Sequence, residues 1–237
     1  MNALSPKEIL SSYENMSKLI DHSLLQPNLT KQNIIDGCKI AVKYNTAAVL
    51  VHSSDVAMAV NLLKGTPVNV GSGVGFPHGR SDTKVKVFET LFAIESGAKE
   101  IDMVINVGHI KSGLYKEAER DIQQVVKSAN GNIVKVILEN SYLENQEKVD
   151  TCKVVEAAGA HFVKTASGYA PGGATLEDII LMKSSVSSNM RIKAAGGIRS
   201  LDPMIEYINA GVTRFGATAT KVILDEYRVR HNLPEIA

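Results

Sequence analysis

Lys164, in HFVKTASG, and Lys193, in RIKAAGG, each interrupt a short apolar, β-rich run near the C-terminal end of the chain. An ammonium group is costly to bury. A second ammonium beside it raises the cost, and the cheapest response is for one amine to lose its proton at neutral pH. A neutral amine attacks carbonyls, so the pair is a candidate Schiff-base centre.

Whether these amines meet depends on the elements that carry them. Side chains on a strand alternate between two faces. In EIDMVIN, Asp102, Val104 and Asn106 share one face, and Ile101, Met103 and Ile105 the other. In IVKVILE, Lys135 shares a face with Ile137 and Glu139, and in KLIDHSLL, Asp21 lies with Leu19 and Ser23. If the apolar faces pack on helices, Asp21, Asp102, Lys135, Lys164 and Lys193 point inward together. Buried charges persist only when paired. Two acids and three lysines form a network that leaves one lysine free to be neutral. The competing reading is a purely structural ion-pair cluster. Two lysines on consecutive strands, with an acid on a third, favour catalysis.

Eight β-rich runs alternate with segments of helical spacing, near 19–26, 47–53, 68–75, 100–106, 133–140, 161–167, 191–197 and 213–218. Thr30, Ser81 and Ser200 have the residue types of N-caps. Gly65, Gly97, Gly159 and Gly211 stand where left-handed C-caps fall. No linker or change of composition divides the chain. The expectation is therefore a single-domain α/β fold, a (β/α)8 barrel over 1–237, with an extra helix at about 1–18 capping its bottom. An open doubly wound sheet fits less well, because no glycine-rich fingerprint follows the first strand. In a barrel the active site lies at the C-terminal ends of the strands.

Glycines gather at those ends on the last three strands: Gly168, Gly196, Gly197 and Gly216. Backbone N–H groups freed by glycines can cradle a phosphate, with Ser167 and Thr218 adding hydroxyls. The plainer alternative is tight turns at strand–helix junctions. His52, His78 and His109 follow the second, third and fourth strands, and three imidazoles at one mouth could hold a metal. The lysines offer an electrophilic route without one, so neither a metal nor a cofactor is expected. By strand parity, His22 and His161 face the helix layer. Pro77 and Gly79 read as a turn.

Composition narrows the partners. The 237 residues are 44% hydrophobic and 22% charged, with net charge +1, no Trp and 5% aromatics. That balance gives no reason to expect nucleic acid or an anionic membrane as partner. Cys38 and Cys152 fall in helix-like stretches outside any CxxC pattern and read as free, packed thiols. The N-terminal segment lacks the order of a signal peptide, and no apolar run is long enough to span a bilayer. A cytoplasmic protein is the expectation.

LIDHSLLQP (19–27), VGFPHG (74–79), EIDMVIN (100–106), KVILEN (135–140), FVKTASG (162–168), IKAAGGIR (192–199) and RFGAT (214–218) occur in order over almost the whole chain. In these segments the sequence resembles the deoxyribose-phosphate aldolases. The resemblance implies a metal-free class I aldolase that reversibly cleaves 2-deoxy-D-ribose 5-phosphate to acetaldehyde and D-glyceraldehyde 3-phosphate. It implies Lys164 as the Schiff-base residue, Lys193 as the neighbour that lowers its pKa, and Asp102, with a water, in proton transfer. Asp21 and Lys135 would belong to the polar network, and the glycines and their neighbours to the phosphate site. The partners would be a sugar phosphate and aldehydes, with a homodimer possible.

The chain departs from the family pattern at several places. TASGY stands for TSTGF, which brings in Ala166, Ser167 and Tyr169. Ala217 and Thr218 stand where a serine is usual, and Leu50 and His52 alter the second strand. HNLPEIA carries no tyrosine to reach the site, and Tyr227 lies earlier in the chain. These changes leave room for a different (deoxy)sugar phosphate as substrate, or for a barrel that binds a sugar phosphate without cleaving it.

Overall fold

The computed structural model of the chain describes residues 4–236. Two short helices, α1 (Pro6–Leu10) and α2 (Tyr13–Ser17), precede the first strand. β1 (Ile20–Leu24) leads to α3 (Lys31–Lys43), β2 (Ala48–Val51) to α4 (Val56–Leu62), and β3 (Asn69–Val74) to α5 (Thr83–Glu95). β4 (Glu100–Val104) is followed by the short α6 (Val107–Lys111) and by α7 (Tyr115–Ser128). β5 (Ile133–Ile137) leads to α8 (Asn145–Ala157), and β6 (Phe162–Lys164) to α9 (Leu176–Ser184). β7 (Arg191–Ala195) leads to α10 (Leu201–Asn209), and β8 (Val212–Ala217) to α11 (Thr220–Arg230). The strands are parallel and follow chain order, and β8 pairs with β1 to close the barrel.

The alternation read from the sequence is what the barrel uses. Ile101, Met103, Val134, Val136, Val163 and Ile192 are fully buried on the helix-facing side. Strand register sets Asp102 against Lys135, Lys164 against Lys193, and Lys193 against Arg214. His22 faces outward as expected, where Nδ1 meets Thr220 Oγ1 of α11 at 2.8 Å. His161 sits just before β6, where its Nδ1 accepts the Val134 N–H.

The helix boundaries agree with the expectations in part. Thr30 forms a reciprocal capping box with Asn33. The cap of α5 is Asp82 rather than Ser81, because the carboxylate accepts the Lys84 N–H at 2.9 Å. Ser200 stands at the start of α10 without a side-chain cap, and Glu226 takes the Leu201 N–H instead. Gly97 ends α5 at φ +104, where a side chain would be strained and would press on Val60.

The N-terminal segment is two helices rather than one. The Ser12 hydroxyl accepts the Asn15 N–H and restarts the chain in a new direction after Ser11. The first three residues of the expected helix lie outside the described range. The segment is tied to the N-terminal end of the barrel, as Lys18 donates to Thr46 O and Tyr227 donates to Leu10 O.

A buried pair between helices was not anticipated. Lys86 of α5 donates to Asp121 of α7 at 2.5 Å and to the Val104 carbonyl of β4 at 3.0 Å. Removing one member leaves the other charge buried without a partner. Lys86→Met is expected to cost about 3 kcal/mol of stability, and Lys86→Met with Asp121→Leu to recover much of it. Urea denaturation of both variants measures the difference.

Candidate active site

Asp102 lies in the lumen with no solvent exposure, and each of its oxygens is committed. Oδ1 accepts from Lys135 at 2.8 Å. Oδ2 accepts from Lys164 and from Lys193, both at 2.7 Å. Lys193 continues to Asp21 Oδ2 at 2.5 Å, and Asp21 Oδ1 accepts from Arg214 at 2.8 Å. Arg214 reaches Glu100 at 3.5 Å. Glu100 returns to Lys135 at 2.5 Å, a contact without the alignment of a hydrogen bond, so it is Coulombic. Asp102, Lys193, Asp21, Arg214, Glu100 and Lys135 thus form a closed ring in which the sign alternates at every step.

Lys164 hangs from this neutral ring as the odd cation, with Asp102 as its only ion-pair partner among the described residues. Burial disfavours its charge most. Asp102 opposes that effect, and Lys193 and then Lys135 add to it, so the amine is lowered to about 8. A drop from the ordinary lysine value to 8 raises the neutral fraction at pH 7 from well under a thousandth to roughly a tenth. Burial alone would push Asp102 up, but Lys135, Lys164 and Lys193 outweigh it and hold the carboxylate well below its usual range. Lys135 is pushed the other way from Lys164: burial opposes its charge, yet Asp102, Asp21 and Glu100 raise it. Of these two lysines, Lys164 is the one shifted toward the neutral amine.

The five lumen residues read from the sequence, Asp21, Asp102, Lys135, Lys164 and Lys193, therefore meet. Glu100 and Arg214 complete the ring and were missed. The signal for Glu100 was present, since it shares strand parity with Asp102. Thr165 was also missed. Its hydroxyl donates to Ala195 O at 2.9 Å and accepts the Ala195 N–H at 3.0 Å, pinning β6 to β7 just above the two lysines.

A cavity of about 150 Å³ opens on Lys164, lined by Ser167, Gly168, Gly196, Gly197, Gly216 and Thr218, the whole set proposed for phosphate. Gly168, Gly196 and Gly197 have φ between +81 and +89. A Cβ on Gly196 would lie 2.9 Å from Gly173 of the neighbouring loop, so this approach requires glycine. Arg199 lines the same cavity and adds a cation that the sequence reading did not single out. At Ser167 the backbone N–H is already used, while the hydroxyl proton that the sequence reading counted on is not. The Ser167 N–H is held by both Glu139 oxygens, at 3.1 and 3.2 Å, and its hydroxyl accepts from Tyr169 N–H. Glu139 is itself left-handed at φ +59, which turns its side chain toward this loop. Burial raises its pKa against the pull of Ser167.

The three mouth histidines take separate places. His52 Nε2 meets Leu25 O at 2.8 Å, and His78 lines a second cavity that His52 and His109 do not line. Among the described residues, no three His, Cys, Asp or Glu side chains are grouped to hold a metal. Tyr227 is buried against α1, with its hydroxyl on Leu10 O, far from the strand C-termini.

A closed parallel barrel with a desolvated lysine and a shared carboxylate at its C-terminal mouth defines an enzyme fitted for carbonyl chemistry. The model for the DeoC/LacD family of aldolases matches residues 15–218, and the chain belongs to that family. It is 49% identical over 205 residues to a deoxyribose-phosphate aldolase of Staphylococcus epidermidis, covering 86% of this chain and 93% of that one. To the deoxyribose-phosphate aldolase of Coprothermobacter proteolyticus it is 45% identical over 216 residues, 91% of this chain and 99% of that one. Among solved structures, the tetrameric deoxyribose phosphate aldolase of Aeropyrum pernix superposes with a TM-score of 0.86 at 26% identity, covering 95% of this chain and 99% of that one.

The opposed influences on Lys164 give a test by sign. Asp102 raises its pKa, so Asp102→Asn should move the pH dependence of borohydride trapping of an acetaldehyde imine toward acid. Lys193 lowers it, so Lys193→Met should move that dependence toward alkali, by about one pH unit or more. Equal profiles in the two variants would remove the tuning role from both residues.

Proposed function

We propose that this chain is a class I aldolase that reversibly cleaves 2-deoxy-D-ribose 5-phosphate to acetaldehyde and D-glyceraldehyde 3-phosphate, with Lys164 as its Schiff-base residue. The observation that carries the proposal is the odd lysine: one amine in excess of a neutral ring of charges, opening onto a glycine-lined cavity. The family and the activity for which the relatives are named point the same way.

The neutral Lys164 amine adds to C1 of the open-chain sugar, and loss of water leaves an iminium. Removal of the C3 hydroxyl proton lets the C2–C3 bond break. Its electron pair moves onto the iminium to give an enamine, and C3 leaves as the carbonyl of glyceraldehyde 3-phosphate. Protonation at C2 and addition of water to the iminium then release acetaldehyde and restore the amine. Asp102 keeps Lys193 and Lys164 in place, and with a water it carries the C3 hydroxyl proton away and returns a proton to C2. Asp21 and Lys135 serve by closing the ring around Asp102. The N–H groups near Gly168, Gly196, Gly197 and Thr218, with Arg199 and with Gly216 leaving the backbone open beside them, would take the phosphate. No step calls for a metal or a cofactor.

The barrel and its two N-terminal helices would act as one domain, supported by the ties from Lys18 and Tyr227. Buried Cys38 and Cys152, pushed up by burial to about 11 and 12, are poor thiolates, in keeping with a reducing cytoplasmic site of action. No helix among the described residues is long and apolar enough to cross a membrane. A homo-oligomer is supported by the tetramer of the Aeropyrum relative and by an exposed apolar stripe on α5, Val85, Phe88 and Phe92, in which Phe88 is 71% exposed. Light scattering should find more than one copy per particle, and Phe88→Glu should lower that mass.

Incubation with 2-deoxyribose 5-phosphate and borohydride should leave a reduced adduct on Lys164, located by peptide mass, and Lys164→Ala should leave none. Turnover that a chelator does not touch is expected. Equal turnover of deoxyribose with and without its phosphate would instead overturn the phosphate assignment.

A further inference from the structure

The mouth of the barrel holds two cavities rather than one. Beside the 150 Å³ chamber on Lys164 lies a larger one of about 680 Å³, walled by Pro77, His78, Arg80, Val104 and Glu139, among others. Among the described residues, only Ser167 and Tyr169 line both. Ser167 is held back by Glu139, which leaves the Tyr169 ring as the larger part of the partition.

Tyr169 is fixed there from several directions. Its hydroxyl donates to the Leu25 carbonyl at 2.6 Å, a bond between the loop after β6 and the loop after β1. Its ring meets Phe76 edge-on, with centroids 5.6 Å apart at 90°. Phe76 meets His52 in turn at 5.9 Å. His52 Nε2 lies 2.8 Å from the same Leu25 carbonyl. A carbonyl only accepts, so His52 carries its proton on Nε2 and both rings donate to one oxygen. Loops from β1, β2, β3 and β6 are thereby joined across the opening. His52 buttresses this bridge and lines neither cavity.

We propose that Tyr169 is a specificity-determining residue, the wall that confines the Lys164 enamine to the small chamber and so limits the size of the aldehyde to which it can add. The proposal rests on the aldolase reading above. With the wall in place, the chamber suits a short chain whose anionic end lies among the glycines. A bulky apolar aldehyde needs room that only the neighbouring cavity offers. The hydroxyl latches the wall and the ring forms it, so the two can be separated.

The test compares acetaldehyde addition to D-glyceraldehyde 3-phosphate with addition to 3-phenylpropanal, as a ratio of kcat/KM, in the wild type, Tyr169→Phe and Tyr169→Ala. Borohydride trapping of acetaldehyde on Lys164 in each protein reports that the imine centre is intact. Tyr169→Ala should shift the ratio about tenfold or more toward 3-phenylpropanal, mainly through KM. Tyr169→Phe keeps the ring without its latch and should shift it about threefold. An unchanged ratio in Tyr169→Ala, with trapping intact, would overturn the wall. If the Ala variant failed to fold, the same ratio in Tyr169→Leu would decide. Absence of trapping in the wild type would overturn the aldolase reading, and this proposal with it.

Discussion

One oxygen atom, Asp102 Oδ2, accepts hydrogen bonds from two lysines at once, and the interior of the barrel is arranged around that fact. A carboxylate shared in this way cannot neutralise both amines. Lys193 is satisfied by its second acid, Asp21, and Lys164 is not. The imbalance is a matter of count as much as of distance: three acids and three cations close a ring, and the fourth cation is left over. Such a ring need not stabilise the fold, since apolar residues of similar volume often do as well or better. Its effect is to leave Lys164 as the cation with the fewest acids around it.

The scaffold achieves this with little freedom. β6 is a three-residue strand that ends on Lys164. Thr165 follows at once and is bonded both ways to Ala195, so the strand that carries Lys164 is fixed to the strand that carries Lys193. Beyond that point the loops become permissive and glycine-rich. Rigid placement of the amine and an open backbone for an anion thus sit within a few residues of each other, as a small phosphorylated carbonyl compound would require.

Much of this was legible in the sequence because a strand has a period of two and a barrel has one inside. Parity alone sent Asp21, Asp102, Lys135, Lys164 and Lys193 inward. It would have sent Glu100 with them, but a glutamate at the start of a run reads as the edge of a strand. Arg214 was harder, because the Thr-Arg-Phe run gives no cue to which face is apolar. Ser167 was placed correctly in the cavity, yet its N–H is spent on Glu139, a partner visible only once the left-handed turn at Glu139 is known. The Tyr169–Leu25 bond joins residues 144 apart in the chain and has no local signature at all. At the N-terminus, Ser12 broke the expected helix, since a serine that can cap competes with one that continues.

The ring also bears on how the chain assembles. Asp21 belongs to the first strand, while its partners Lys193 and Arg214 stand 172 and 193 residues away on the last two. Until β8 docks on β1, these charges lie in a half-built lumen without their counterparts. Partly closed forms therefore carry an electrostatic penalty that the complete barrel lacks, and closure is favoured as an all-or-none event. The same long sequence separation gives this one pairing the largest loop-closure cost, so closure is expected to be the slow step. The ion pairs that set the reactivity of Lys164 would then also ensure that an incomplete barrel does not linger as a stable species.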